Sequence, residues 1–379
     1  MKYLAARLAV LGTAAACVLG VTAGTASASF TLKGAGSTLI QPMLANVWIT
    51  DFQNANAGDT VSYAGGGSTA GINDITANSV NFGASDAPLT SSQAAACPKC
   101  VQIPWALSAT GPVFNLSGVS NLNLNATIVA GIYLGTITKW NDPSIAAINK
   151  GVSLPDEPIV PFYRSDGSGD TFVIESWLSD LSPAYKSYLS TKGDVPSTTS
   201  AFSAGTGEKS NSGVANAVNS TPGGFGYVST FYVRDSGLTS LHGAAVENAS
   251  GNFIHPYPAN MTDAAAQVPA SQLGSSSYNQ EPVIANDVAT LAYKAKKAKK
   301  GAKAAKPTAK DLQIADLYPL STFTDVLVRA DTSDVPDLQT FIKFCLSPAE
   351  QSVTKTGSQS FAPLPAAVVK FDLAQVNAL

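Results

Sequence analysis

Residues 164–172 read RSDGSGDTF, a stretch with the composition of a loop that opens into a helix and binds an anion. Its glycines allow the backbone to approach a ligand closely, its hydroxyl side chains are donors, and the first helical turn has unpaired N–H groups. Residues 34–38 (GAGST) and 65–69 (GGGST) have a similar composition. One such passage is typical of an ordinary turn with an N-cap. Three in one chain favour an anion site.

Charged side chains accompany these passages. The planar guanidinium of Arg164 can bind two oxygens of one tetrahedral anion, and Asp166 can hold it in orientation. Residues 82–89 (FGASDAPL) place Asp86 beside small residues at the end of an expected strand. Taken alone, Arg164 fits a surface arginine and Asp86 fits a turn or cap residue. An arginine directly before DGSGD, in a chain otherwise poor in basic residues, favours the binding role.

The first 28 residues have the pattern of an export signal, with basic Lys2 and Arg7, an apolar run, and small residues up to Ala28. We therefore expect cleavage before Ser29 and an extracytoplasmic protein, whether secreted, periplasmic or associated with the cell surface. Attachment of a lipid at Cys17 stays open as the alternative. No later stretch has the roughly twenty apolar residues of a membrane-spanning helix.

Short β-rich runs, such as residues 60–63 and 79–82, alternate with alanine-containing helical stretches, which predicts an α/β fold. The chain is long enough for two lobes of ordinary size. Residues 102–115 have the pattern of a strand broken by turn residues, and a second crossing is expected near residues 318–320. We interpret both as hinge strands between the lobes.

The predicted first lobe is residues 29–107 plus 320–379, and the second is residues 108–319 with a lysine-rich surface insertion at 294–310. That insertion and the signal hold ten of the 23 basic residues, so 13 remain against 26 acidic ones. Overall charge therefore does not attract an anion to this chain. The insertion is interpreted as a solvated loop, and contact with anionic envelope polymers is the alternative.

Three cysteines follow the signal. In an oxidising compartment the spacing of Cys97 and Cys100 makes a disulfide plausible, which leaves Cys345 unpaired. No second cysteine pair or neighbouring histidine completes a zinc set, so we expect no metal.

The sequence resembles the phosphate-binding proteins of Pst-type ABC importers, which are type II periplasmic binding proteins. The resemblance covers nearly all of the mature chain, and its segments are GAGST at 34–38, YAGGGSTAG at 63–71, FGASDAPL at 82–89, IYLGTITKWNDPSIAAIN at 132–149, RSDGSGDTF at 164–172, GGFGY at 223–227 and APLP at 362–365. It implies a two-lobed α/β fold with hinge strands and a ligand cleft between the lobes. The function it implies is extracytoplasmic capture of inorganic phosphate for an ABC importer.

The resemblance also implies the ligand set and the partners. The phosphate-binding residues would be Thr38, Leu39, Ser68 and Asp86 from one lobe and Arg164, Ser168, Gly169 and Asp170 from the other. Leu39 and Gly169 would donate backbone N–H groups. Asp86 would accept a hydrogen bond from the proton that phosphate keeps near neutral pH and that sulfate lacks. The expected partners are inorganic phosphate and the permease subunits with their ATPase, with no cofactor, no nucleic acid and a monomeric protein.

Asp170 departs from the family pattern, because many members have threonine there. A threonine offers a hydroxyl donor that an aspartate lacks. We expect the carboxylate to turn away within the first helical turn, where negative charge is tolerated. The alternative is that it lies close enough to the ligand to favour monoanionic phosphate.

Two other functions are alternatives: a secreted phosphatase or other hydrolase, and a cell-surface adhesin that acts through the lysine-rich insertion. The Gly-x-Ser-x-Gly pattern is not formed around Ser68, Ser168 or Ser212, and His242 and His255 lie outside the matched segments. No Gly-Lys-Ser/Thr triplet of a P-loop follows the glycine runs. We therefore expect no catalytic residues and no enzyme activity.

Overall fold

A ten-stranded mixed sheet runs through the computed structural model. The structure describes residues 29–248, 250–268, 316–352 and 360–379. The predicted signal and the lysine-rich insertion at 294–310 lie outside the described residues.

The strands of the described residues are β1 (Thr31–Gly36), β2 (Thr60–Gly65), β3 (Phe82–Ser85), β4 (Cys100–Phe114), β5 (Asn123–Leu124), β6 (Val160–Arg164), β7 (Thr206–Glu208), β8 (Gly224–Ser229), β9 (His242–Gly243), β10 (Ala245–Glu247), β11 (Phe253–Ile254), β12 (Ser321–Arg329) and β13 (Phe361–Ala362). In the large sheet the order is β2-β1-β3-β12-β4-β8-β6-β7, with β9 and β13 also paired to β4. The strands β11, β10 and β5 form a small second sheet.

The helices of the described residues are α1 (Gln41–Met43), α2 (Ile49–Ala55), α3 (Ser68–Thr76), α4 (Ser91–Ala96), α5 (Ala126–Tyr133), α6 (Pro143–Ile148), α7 (Gly169–Leu181), α8 (Pro183–Lys192), α9 (Ser210–Ser220), α10 (Thr230–Arg234), α11 (Pro258–Ala265), α12 (Val335–Cys345) and α13 (Ala366–Ala378). A π-helical stretch, Leu44–Trp48, joins α1 to α2. Helices therefore alternate with strands, and the predicted α/β fold class is confirmed.

Strand β4 belongs to both halves of the sheet. Residues 100–109 pair with β12 on one side, and residues 110–114 pair with β8. The strands β2, β1, β3 and β12 with their helices are called lobe 1 below, and β8, β6 and β7 with theirs are lobe 2. Leu320, just before β12, accepts a hydrogen bond from the Thr110 N–H, so a second crossing of the chain lies beside the first. The boundaries given above for the two lobes stay a prediction.

Two details of the expected strands are wrong. The strand that contains Gly111 and Pro112 is continuous over 15 residues instead of broken. Pro104 lies beside an irregularity in the pairing with β12, where a missing N–H is tolerated, and Pro112 still accepts a hydrogen bond from Ala244 through its carbonyl. The run at residues 79–82 enters the sheet only at Phe82.

An aromatic cluster holds the helices of lobe 1 against the sheet. Phe341 of α12 packs its ring 5.1 Å from that of Phe52, 5.8 Å from Phe82 and 6.3 Å from Trp105. All four side chains are completely buried. Edge-to-face and tilted pairs of this kind add to the stabilisation from buried area. The cluster fixes β3 and β4, and the loop after β3 carries Asp86.

Cys97 and Cys100 form a disulfide that closes the turn between α4 and β4. Cys345, at the end of α12, is a buried free thiol, and burial raises its pKa. Within the described ranges no helix has both the length and the apolar character needed to cross a membrane.

Phe341→Ala tests the packing of lobe 1. We expect the free energy of unfolding to fall by about 3 to 5 kcal/mol, because the change removes a fully buried ring from an aromatic cluster. Chemical denaturation measures it. Val195→Ala is the control, since Val195 is 73% exposed and its truncation should change stability by about 0.5 kcal/mol or less. A loss below about 1 kcal/mol for Phe341→Ala would contradict the described packing.

Candidate oxyanion site between the lobes

All three glycine-hydroxyl passages lead into helices. GGGST opens α3 at Ser68, SGD opens α7 at Gly169, and GAGST precedes α1 by a short turn. Gly67, before α3, has a φ of 90°, and a Cβ there would lie 2.5 Å from the carbonyl oxygen of Gly167 in the other lobe. Only glycine combines this conformation with such a close approach. The N-termini of α3 and α7 thus face each other across the lobe boundary.

Ser68 is the point at which the lobes meet. Its Oγ accepts the backbone N–H of Asp86 at 3.1 Å and that of Gly169, from lobe 2, also at 3.1 Å. Its hydroxyl lies 3.4 Å from Oδ2 of Asp86. A lobe 1 side chain therefore joins the start of α7 to the loop after β3.

Asp86 is a buried carboxylate with hydroxyl donors on both oxygens. Ser37 donates to Oδ2 and Thr324, from β12, donates to Oδ1, each at 2.6 Å. Burial and the nearby charge of Asp170 raise the pKa of Asp86 to about 7, although these hydrogen bonds and Arg164 act in the opposite direction. Asp86 therefore changes charge near neutral pH.

Arg164 is buried at the end of β6, and its side chain is 1% exposed. Asp166 accepts two hydrogen bonds from it, at 2.7 Å from Nε and 2.6 Å from Nη2. Burial lowers the pKa of Arg164, but Asp166 and Asp170 outweigh that effect and raise it above its usual value. Arg164 likewise lowers the pKa of Asp166 against the effect of burial. The guanidinium is thus fixed in one orientation and charged.

The expectation that the Asp170 carboxylate turns away is wrong. Its Oδ2 accepts from Nη1 of Arg164 at 2.8 Å and from Nδ2 of Asn211 at 2.7 Å, with the Ser168 hydroxyl at 3.4 Å. The side chain is 1% exposed. Attraction to the buried guanidinium outweighs the solvation that an outward rotamer would gain. Asp170 therefore belongs to the site.

Thr38, the last residue of GAGST, forms a further contact from lobe 1 to lobe 2. Its Oγ1 accepts from Nδ2 of Asn211 at 3.0 Å and lies 3.4 Å from the Asn211 backbone nitrogen. At the other edge, Thr69 donates its N–H to Gly167 and shares a 2.8 Å hydroxyl contact with Thr198. The two lobes are therefore joined on both sides of Ser68.

The two predicted backbone donors already have acceptors within the protein. The N–H of Leu39 donates to Oγ of Ser37 at 3.0 Å, and that of Gly169 donates to Ser68. A ligand that accepts from these two N–H groups would have to replace their internal acceptors. The structure brings all eight predicted residues into one buried cluster.

Sequence reasoning missed several members of this cluster. Asn211 follows Ser210, which begins α9 and has a φ of 67°. In the sequence, only the short polar run at the start of this helix could have indicated a role for Asn211. Ser37 lies within GAGST, and its neighbour Thr38 is the residue of that passage that the family resemblance implies. Thr324 lies inside a buried strand, and nothing in its local sequence separates it from a packing residue.

The two histidines have other contacts. The ring of His242 packs 5.7 Å from Phe114, and that of His255 packs 6.2 Å from Tyr257. In the described part of the chain, no group of three or more histidine, cysteine, aspartate or glutamate side chains is arranged to hold a metal ion.

This fold and site define the class of protein: two α/β lobes that meet over a buried polar cluster are those of a solute-binding protein. The sequence model of the PBP superfamily domain matches residues 21–349. The chain is 30% identical over 344 residues to the phosphate-binding protein PstS of Xylella fastidiosa (strain 9a5c), an alignment that covers 90% of this chain and 84% of that protein. The chain belongs to the PstS family of phosphate-binding proteins.

Further relatives agree with this assignment. The PstS of Pasteurella multocida is 35% identical over 238 residues, which cover 62% of this chain and 66% of that protein. Among solved structures, a high affinity periplasmic phosphate-binding protein (PfluDING) bound with phosphate superimposes with a TM-score of 0.65 at 21% identity, covering 92% of this chain and 93% of that one. The structural likeness confirms the expected two-lobed fold.

Gly169→Ala tests the contact between the lobes. A Cβ at this position would lie 2.5 Å from Cβ of Asp86 and 2.6 Å from Oγ of Ser68, so the lobes must separate. We expect the amide hydrogens of Thr69 and Asn211, which donate across the boundary, to exchange about tenfold faster, as measured by hydrogen exchange.

The matched control is Gly213→Ala. Gly213 lies within α9, where an added Cβ meets no atom closer than 3.6 Å. Its exchange pattern should equal that of the unmodified chain. Equal exchange for Gly169→Ala would contradict the described closeness of Gly169 to lobe 1.

Proposed function

We infer that this protein captures inorganic phosphate outside the cytoplasm and delivers it to an ABC importer. One observation carries the proposal: the N-termini of α3 and α7, from different lobes, meet at Ser68 beside the buried side chains of Asp86 and Arg164. Helix N-termini and an oriented arginine favour a compact oxyanion. Family membership supports phosphate as that oxyanion.

The donors and acceptors around Asp86 suit an anion that keeps a proton. Backbone N–H groups and Arg164 can only donate to the oxygens of an anion, and hydroxyls can donate or accept. The Asp86 carboxylate, when ionised, can only accept, and a P–O–H group supplies the hydrogen bond that it needs. Sulfate has no such proton near neutral pH, so it would set an oxygen lone pair against a buried carboxylate. We propose Thr38, Leu39, Ser68, Asp86, Arg164, Ser168, Gly169 and Asp170 as the ligand set, with Asp166 orienting Arg164.

The contacts between the lobes support a capture mechanism. Ser68 accepts from Gly169 and Thr38 accepts from Asn211, so residues of both lobes form a single site. A ligand that engages donors from both lobes stabilises the closed arrangement over an open one. The closed form would then dock on permease subunits driven by an ATPase. In this proposal the protein acts as a monomer and binds without catalysis.

Arg164→Ala tests the ligand set. We expect phosphate affinity to fall by at least about tenfold, because a desolvated charged contact is lost. Isothermal titration calorimetry with phosphate measures it. Arg164→Lys, which keeps the charge but loses the planar fork, serves as a second variant if the alanine form is unstable.

Arg329→Ala is the matched control, since Arg329 pairs with the partly exposed Asp331 on the surface. Its phosphate affinity should equal that of the unmodified chain. An unchanged phosphate titration in a folded Arg164→Ala protein would argue strongly against the proposed function.

Asp86→Asn tests the basis of selectivity. An asparagine amide can donate to sulfate, so we expect the ratio of phosphate to sulfate affinity to fall by about tenfold or more. Competition of sulfate against bound phosphate gives this ratio. Asp331→Asn removes a surface carboxylate and should leave it unchanged. Equal ratios in Asp86→Asn and the unmodified chain would exclude Asp86 as the selective group.

A further inference from the structure

Asp170 is a second carboxylate acceptor of the site, beside Asp86. It is the second residue of α7, where the helix dipole favours negative charge. Oδ2 accepts from Arg164 and Asn211 at 2.8 and 2.7 Å. Asp170 thus occupies a donor of Arg164 that a bound anion would otherwise use.

Oδ1 of Asp170 is buried and accepts no hydrogen bond from any described residue. A buried acceptor left without a donor destabilises the unliganded site. A ligand that brings an O–H group to this oxygen would remove that destabilisation, whereas a ligand that brings only lone pairs would increase it.

The balance of charge points the same way. Arg164 faces Asp166 and Asp170 directly, and Asp86 is close enough for Asp170 to affect its titration. One cation therefore faces three carboxylates in a buried cluster. A dianion would add two more negative charges where the dielectric is low. Each proton that accompanies the ligand reduces this repulsion.

We propose that Asp170 makes this site selective for phosphate that carries two protons, with one proton placed against Asp86 and the other against Oδ1 of Asp170. The proposal rests on phosphate being the ligand, as inferred above. Dihydrogen phosphate has two P–O–H groups, and the site has two carboxylates to accept them. Threonine at this position has no such preference, because its hydroxyl can also donate to an unprotonated oxygen.

A dependence on pH follows from proton linkage. Above the second ionisation of phosphate, near neutral pH, the free ligand has one proton and the bound complex has two. Affinity therefore falls by about tenfold for each unit of rising pH in that range. The pKa of Asp86, raised to about 7 by burial and by Asp170, means that Asp86 is ionised before phosphate binds at higher pH. At higher pH, therefore, phosphate binding is accompanied by the uptake of a proton from solvent.

Other titratable groups lie near the two carboxylates or contact Arg164. They come from β6 and its following loop, from β2, β8 and α10, and are Arg164, Asp166, Tyr63, Tyr227 and Tyr232. The pKa values of Arg164 and the three tyrosines are raised and that of Asp166 is lowered, so these groups keep their charge state between mildly acidic and mildly alkaline pH.

The test is calorimetry with inorganic phosphate from about pH 6 to about pH 8, in buffers of different ionisation enthalpy, which counts the protons taken up on binding. For the unmodified chain we expect uptake of about one proton near pH 8. For Asp170→Asn we expect uptake near zero and phosphate bound about tenfold more tightly near pH 8, with a smaller difference near pH 6. Asp170→Thr should behave in the same way.

Asp194→Asn is the control, because it removes an exposed carboxylate after α8 and should keep the uptake of the unmodified chain. Binding of phosphate with no proton uptake near pH 8, or equal uptake by the unmodified chain and Asp170→Asn, would overturn the role of Asp170 and leave phosphate capture intact. Absence of phosphate binding at every pH would instead refute the proposed function. The two failures are therefore distinguishable.

Discussion

The hydrogen bond from the Gly169 N–H to Oγ of Ser68 is the contact on which the rest of the site depends. It joins the N-termini of two helices that belong to different lobes, and neither helix start can bind a shared ligand without the other. Glycine is required at both Gly67 and Gly169, because a Cβ at either would collide with atoms of the opposite lobe. These glycines therefore allow the two lobes to come close together, and they also leave the backbone N–H groups accessible.

A single buried guanidinium makes this arrangement possible in an acidic chain. Asp166 fixes the Nε edge of Arg164, so its orientation is set before any ligand arrives. The remaining stabilisation comes from helix N-termini and hydroxyls, which carry no net charge. An oxyanion bound here, as proposed, would be held by fixed dipoles and one arginine, since acidic residues exceed basic ones outside the lysine-rich insertion and the chain offers no long-range attraction.

The sequence predicted the components of the site better than their contacts. The α/β class, the helix starts after the glycine passages and the eight clustered residues follow from local patterns and from the family resemblance. Thr324 and Asn211 could not be predicted in this way, because each reaches the site only through pairing or packing with residues distant in the chain. The continuous β4 was missed for the same reason: sheet partners accommodate Pro104 and Pro112, which local sequence marks as breaks.

The error over Asp170 has a physical cause that matters for function. Helix propensity allows an aspartate near a helix start to point outward into solvent, and that was the expectation. The buried charge of Arg164 is a stronger influence than the local helix dipole, so the carboxylate turns inward. It takes one donor of Arg164, and its second oxygen has no hydrogen-bond donor within the described part of the chain. Where a threonine would place a hydroxyl donor, this chain therefore places a buried carboxylate acceptor, and under the proposal above the protonation of the ligand becomes part of recognition.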